Sequence, residues 1–318
     1  MDKKSQLPTL RKVGNIVAKP SNTGKIKPID KESLKKKSEI DKILKQDSIK
    51  SQMKKEQQAK KGLDLVLIGD LTGSMRNYHR ILKQKFKEIC KNMFQVIPNL
   101  RIGIIFYLDH GSGDPYVTKV KSLTINIEEL QNFIDTTPDG CGGDADEAVE
   151  DALYEALNLN WSEINTRSIV LFGDARAHEP NECDKGYDYF KLTQNLYNQQ
   201  TTINTVFCGH CGDYRQISSL YDVEIGNFDT RVSRLDNEQF FSWLANVTGG
   251  VAIGVAQIDD LVDIIQAMAA KDAGKIDDLE EEVKKINTKA LPTLKFIKEK
   301  AKQIEHKKQA LGISYNKS

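Results

Sequence analysis

No run of about 18 apolar residues, the length a helix needs to cross a bilayer, occurs in this sequence, so a membrane-spanning chain is excluded. The first residues are charged from Asp2 onward and lack an apolar core, so no secretion signal is expected. Cysteine is sparse, with five residues among 318, an odd number. A chain of this size needs no staples, so a disulfide framework is not expected and a reducing, cytoplasmic location is. Residues 1–61 contain no aromatic side chain. A basic tail of this kind attracts phosphates but has nothing on which bases stack, so no specific nucleic acid is expected as a partner.

Net charge is also nearly absent, since 46 Lys+Arg stand against 45 Asp+Glu. That balance hides an asymmetry. Residues 1–62 hold 18 basic and 7 acidic side chains, residues 271–318 hold 12 and 8, and residues 63–270 hold 16 and 30. The protein is an acidic middle with basic ends, and the middle is long enough to bury one sizeable core.

Pro8, Pro20, Pro28 and many lysines mark the first 29 residues, whose few aliphatics cannot offset the entropy of ordering. Leu34, Ile40, Ile43, Leu44 and Met53 then form a sparse helical stripe. Residues 1–61 therefore read as a basic arm, disordered or conditionally helical. At Gly62 the character changes. Leu63-Asp64-Leu65-Val66-Leu67-Ile68 is a short apolar run ending in Gly-Asp, the pattern of a strand buried on both faces. Similar runs follow at 101–108, 168–173, 203–208 and 251–255, with a more polar strand at 116–119. Apolar spacings of three and four predict helices over 75–97, 128–135, 145–157, 187–197, 238–247 and 258–269. This alternation predicts a doubly wound, mostly parallel, Rossmann-like α/β sheet over 62–270 with helices on both faces. Beyond it, 271–318 reads as two helices with narrow apolar seams, suited to helical docking or a short coiled coil.

Ligands of such sheets sit at the carboxyl ends of the strands, which directs attention to the residues after Ile68, Ile105 and Phe172. The first strand delivers Asp70-Leu71-Thr72-Gly73-Ser74, whose alternate positions put a carboxylate and two hydroxyls into one concavity. Hard oxygen donors of this kind suit Mg²⁺. The third apolar strand also ends in Gly-Asp, at Asp174, and a loop between them supplies Gly142-Gly143-Asp144.

Asp70-Leu71-Thr72-Gly73-Ser74 resembles the Asp-x-Ser/Thr-x-Ser signature of the von Willebrand factor A (VWA) domain. The Gly-Gly loop, Asp174 and the run Phe241-Ser242-Trp243-Leu244-Ala245-Asn246-Val247-Thr248-Gly249-Gly250 follow in that family's order. The resemblance covers about 62–270. It implies that Thr72 and Ser74 bind Mg²⁺, with Mn²⁺ or Ca²⁺ as alternatives, while Asp70 and Asp174 hold it through water. The last coordination position would take a carboxylate from a protein partner. Asp144 stands where the family usually has threonine, and Gly142-Gly143-Asp144, Glu147 and Asp174-Ala175-Arg176-Ala177-His178 look more like A domains found beside atypical alpha-kinases. A third carboxylate leaves the site at −1 with its ion, so tighter metal binding and weaker capture of an acidic ligand are expected. The metal set is thus Asp70, Thr72, Ser74, Asp144 and Asp174, with Asp139 and Glu147 standing behind it.

Other features carry less. Asp70 and Thr72 could merely cap the helix that follows. Cys208-Gly209-His210-Cys211 lacks the later proline of a thioredoxin-like site and a second Cys-x-x-Cys for zinc; His178 and Cys183 would complete a zinc site only if their loop folded toward 208. His178 has no nucleophile with an orienting partner, so a structural hydrogen bond is expected of it. A haloacid-dehalogenase-type phosphatase would need a second Asp where Thr72 stands. The expected function is a non-catalytic, Mg²⁺-dependent protein-binding scaffold. A metal-dependent hydrolase and a structural adaptor with an unused site are the alternatives.

Overall fold

The computed structural model describes residues 61–111, 113–143, 145–209, 217, 220–255, 257–286 and 288–313. The arm to residue 60, Asp144, His210 and Cys211 lie outside the described residues, and with them the readings made there.

Strand β1 (Leu63–Asp70) is buried at every position, because its neighbours cover both edges and helices cover both faces. It lies between β2 (Arg101–Tyr107) and β4 (Thr166–Gly173); the polar β3 (Thr118–Thr124) lies outside β2, and β5 (Thr201–Phe207) and β6 (Ala252–Gly254) follow outward from β4. The sheet order is β3-β2-β1-β4-β5-β6, parallel throughout except for β3, which pairs antiparallel with β2. The doubly wound, mostly parallel α/β fold read from the sequence is the fold observed.

Alternation along β1 divides the core. Leu63, Leu65 and Leu67 point to a layer that includes α1 (Arg76–Val96) and α2 (Ile127–Thr136), through Phe86, Ile89, Met93, Leu130 and Ile134. Val66 and Ile68 point to the opposite layer, made by α3 (Val149–Leu157), α4 (Tyr189–Asn198) and α5 (Asn237–Thr248). There Trp243 is fully buried and its ring meets those of Tyr189, Phe190 and Phe228. The ends of α5 are written in the sequence. Asp236 and Gln239 form a capping box at its start, and Gly249, at φ +74°, ends it in the left-handed region.

Helix α6 (Asp260–Asp272) returns to the first layer and is buried nearly all round, from Leu261 to Ala270. A helix so enclosed needs cover on its outer side. The predicted helical pair supplies it: α7 (Ile276–Ile286) and α8 (Leu291–Ala310) place Leu279, Leu294 and Ile297 in the same core cluster as Leu261 and Ile265. The narrow seam of α8 is thus occupied within the chain. Among the described residues, no helix is long and apolar enough to cross a membrane.

Two predicted elements have the boundaries that moved furthest. The polar strand begins at Thr118, not 116, and runs to Thr124, because as a half-exposed antiparallel edge it has no apolar run to mark it. Helix α3 begins at Val149 rather than 145, because the preceding backbone is used elsewhere. The Glu147 N–H donates to Arg176 O at 3.0 Å and the Ala148 N–H to Leu108 O at 3.1 Å, so the chain enters the helix from a bridge between strand ends.

At the amino end of β1, Asp64 is fully buried yet fully paired. It accepts from Arg101 Nε at 2.9 Å, the Ser162 N–H at 2.7 Å and Asn165 Nδ2 at 2.8 Å. Burial raises its pKa, but these donors outweigh burial and hold the carboxyl below the usual range.

Candidate functional site

Strand order reverses beside β1, whose chain goes first to β2 on one side and later to β4 on the other, and the carboxyl ends of β1 and β4 border the resulting crevice. Asp70 ends β1, and Asp174 directly follows β4. Gly173 allows their close approach: a Cβ there would lie 2.5 Å from the Tyr107 hydroxyl and 3.2 Å from Asp70 Cβ. Asp174 is positioned from α5, since Asn237 Nδ2 donates to Asp174 O at 3.0 Å while Asn237 Oδ1 accepts from the Arg176 N–H at 3.1 Å.

The 70–74 turn is organised by its own carboxylate. Asp70 Oδ1 accepts from the Thr72 N–H at 2.8 Å and from the Thr72 hydroxyl at 2.7 Å, and Thr72 Oγ1 lies 3.4 Å from Ser74 Oγ. Neither Thr72 nor Met75 caps the following turn or helix with its side chain, so the capping alternative fails. Asp70 and Thr72 are buried, Asp174 is half-buried and Ser74 is exposed, which leaves the crevice open on one side.

The glycine-rich loop docks against this turn. The Gly140 N–H donates to Leu71 O at 3.0 Å, while Asp114 holds the Cys141 and Gly142 N–H groups at 2.8 and 3.0 Å. Gly142, at φ +76°, takes a backbone conformation that favours glycine, and a Cβ there would lie 2.8 Å from Glu147 Oε1 and 3.4 Å from Thr72 Cβ. Asp139 turns away to pair with His79. Glu147, expected only behind the ligands, instead faces the Thr72 hydroxyl and the charges of Asp70 and Asp174.

These groups fit a cation because their own donors do not satisfy them. Asp70 Oδ2, Glu147 Oε2 and the Tyr107 hydroxyl are buried without a hydrogen-bond partner. Burial pushes the Asp70 carboxyl up to about 7, against two hydrogen bonds from Thr72 and with the like charge of Asp174 behind it. Burial and then the charges of Asp70 and Asp109 push Glu147 up to about 9. Two carboxylates that resist ionising in one cleft, with a hydroxyl pair beside them, have the chemistry of a hard divalent-ion site lacking its counter-charge. Asp70, Thr72, Ser74 and Asp174 would hold the ion directly or through water, with Glu147 balancing its charge.

His178 and Cys183 do not join Cys208. His178 contacts Glu150 and Asp109, and Cys183 lies 3.7 Å from Asp151; Cys208 sits at the end of β5, where its carbonyl accepts from Tyr78. The sequence reading missed Tyr107 and the group around Glu150. The rule that favours strand ends pointed toward both, since Tyr107 ends β2 and Asp109-His110 follow it, but it could not assign them partners.

No protein-family model matches the chain, and no curated protein matches it. Solved structures with similar backbones include the VWA domain of SpRpn10, 17% identical over 64% of this chain and 94% of that one, with a TM-score of 0.41. An aerotolerance-related membrane protein from Bacteroides fragilis is 17% identical over 66% of this chain and 100% of that one, at 0.43. Proximal thread matrix protein 1 of the mussel byssus is 14% identical over 67% of this chain and 47% of that one, at 0.45.

Proposed function

We propose that this chain is a cation-dependent protein-binding module of VWA type, in which Asp70, Thr72, Ser74 and Asp174, with Asp144 from the glycine-rich loop, hold Mg²⁺ and present it to an acidic side chain of a partner. The orphaned oxygens of Asp70 and Glu147 beside the Thr72 hydroxyl carry this reading. When bound, the ion supplies a positive centre with an open position. The chain's own residues orient it and neutralise it, and the open side at Ser74 gives a partner access.

The surplus of acidic residues over 63–270 gives the ion a second role, because without it a carboxylate approaching this face meets like charge. The assignment is non-catalytic, since binding needs only the ion and an open face. A reducing compartment such as the cytoplasm suits the thiols at Cys90 and Cys183. The glycine loop with Glu147 and the 174–178 run support the likeness to alpha-kinase-associated A domains.

Calorimetry with Mg²⁺ tests this reading. We expect one ion per chain, none for Asp70→Ala, and retention on an immobilised acidic peptide that EDTA abolishes. Absence of Mg²⁺ binding would refute the site, and turnover of a generic phosphoester that disappears in Asp70→Ala would replace the binding role with a hydrolytic one.

A further inference from the structure

A second group of ligating side chains lies apart from the Asp70 turn and has a different chemistry. His110 follows β2, Glu150 and Asp151 open α3, and Cys183 belongs to the loop between β4 and α4. Three separated segments, two connections and the start of a helix, thus deliver an imidazole, two carboxylates and a thiol, and one ligand atom of each lies within 4.8 Å of all the others. Glu150, Asp151 and Cys183 are at most 6% exposed, as is the side chain of His110.

The distances already approach those of a coordination tetrahedron. Zinc bonds of about 2.0–2.3 Å to nitrogen, oxygen and sulfur imply ligand-to-ligand edges of roughly 3.3–3.8 Å. His110 Nε2 lies 3.1 Å from Glu150 Oε1 and 3.0 Å from Asp151 Oδ2, and Cys183 Sγ lies 3.7 Å from that same Asp151 oxygen.

Three of the four donors, His110, Glu150 and Asp151, also have partners beyond the group, as metal ligands do. His178 contacts Glu150 Oε1 through Nδ1 at 3.2 Å, its N–H donates to Oε2 at 3.1 Å, and its Nε2 lies 3.2 Å from Asp109. Lys185 Nζ takes the far oxygen of Asp151 at 2.6 Å, and His110 Nδ1 faces Asp184 at 3.7 Å. An ion-pair network alone would account for the histidines and carboxylates. It does not account for a buried thiol completing the group.

We propose that His110, Glu150, Asp151 and Cys183 form a second metal centre, closed by four protein ligands and selective for Zn²⁺. An imidazole and a thiolate favour zinc over Mg²⁺, and a filled tetrahedron leaves no position for substrate, so the role is structural. On binding, the ion displaces to solvent the thiol proton of Cys183 and the proton on His110 Nε2, so that Cys183 ligates as thiolate and His110 as neutral imidazole. The centre ties the end of β2 to α3 and to the loop that begins at Asp174, and so braces one wall of the crevice.

The test uses the full chain, stripped by chelator and titrated with Zn²⁺ and, as a spectroscopic probe, Co²⁺. We expect one tightly held Zn²⁺ that excess Mg²⁺ does not displace, and a thiolate-to-cobalt charge-transfer band in the untouched protein. Cys183→Ser should remove the band, and His110→Gln should weaken Zn²⁺ by more than about 100-fold, beyond the loss typical of an outer partner. Lys185→Met, which removes the ammonium from the far oxygen of Asp151, should weaken it about 10-fold. Cys208→Ser/Cys211→Ser should change nothing. A wild-type spectrum without the charge-transfer band, Zn²⁺ displaced by Mg²⁺, or a band lost in Cys208→Ser/Cys211→Ser but kept in Cys183→Ser would each overturn the proposal.

Discussion

Removing the divalent cation should make this protein less stable as pH rises from about 5 to 8, the reverse of ordinary acid denaturation. The perturbation is chelation followed by a pH series. The folded Asp70 carboxyl is pushed up to about 7 from an ordinary 3.8, a gap worth about 4 kcal/mol. The folded state holds that proton more tightly than the unfolded chain does. Its stabilisation is therefore complete below about pH 4 and is lost as pH climbs through 7, with about 3 kcal/mol disappearing between pH 5 and 8. For a domain of this size that is a fall in Tm of roughly 6–12 °C. Glu147, pushed up to about 9, acts in the same direction. Mg²⁺ at 100 times its Kd restores about 2.7 kcal/mol by binding only the folded state. Scanning calorimetry of chelated and Mg²⁺-saturated protein at each pH reads the effect. Asp70→Asn should flatten the chelated curve in part, and Asp70→Asn/Glu147→Gln should flatten it fully and remove the response to Mg²⁺. A chelated wild-type protein with the same Tm at pH 5 and pH 8 would refute the reasoning, as would a double variant that keeps the slope.

Three further outcomes are expected. Asp64→Asn, which breaks a buried pair with Arg101, should cost about 3–5 kcal/mol in denaturant melts at neutral pH; because the Asp64 carboxyl is held low, that loss should shrink as pH falls below about 4. Trp243→Ala should cost about 3–5 kcal/mol by leaving a cavity among Tyr189, Phe190 and Phe228, without altering Mg²⁺ affinity. Ending the chain after Asp272 removes Leu294 and Ile297 from the core and should cost about 3–6 kcal/mol, measured by chemical denaturation against the full chain.

The buried strands were legible because a parallel sheet covered on both faces must be built from unbroken apolar runs, and Leu63 to Ile68 is such a run. The extent of the edge strand was not, since Thr118–Thr124 holds only half-exposed and exposed positions and has no apolar run to mark its ends. Asp70, Thr72 and Asp174 could be found because strand ends are where such folds bind, and a Gly-Asp ending repeats at both. The place of Glu147 could not. Helical spacing assigned it to a helix, whereas its N–H pairs with Arg176 and its side chain turns into the crevice. His110, Glu150, Asp151 and Cys183 carry no spacing motif, and only the three-dimensional course of their connections brings them together.

The two ends of β1 bear the same residue type, equally withdrawn from water, in opposite circumstances. Asp64 is surrounded by donors and asks for nothing more, whereas Asp70 is left with a debt that only something from outside can settle. A single eight-residue segment is thereby polarised, anchored at its start and frustrated at its finish. The practical consequence is that samples prepared in chelating buffer will be weakened at the functional end alone. Their hydrogen-exchange protection should drop around 70–74 and 140–147 first, while the Asp64 end stays locked.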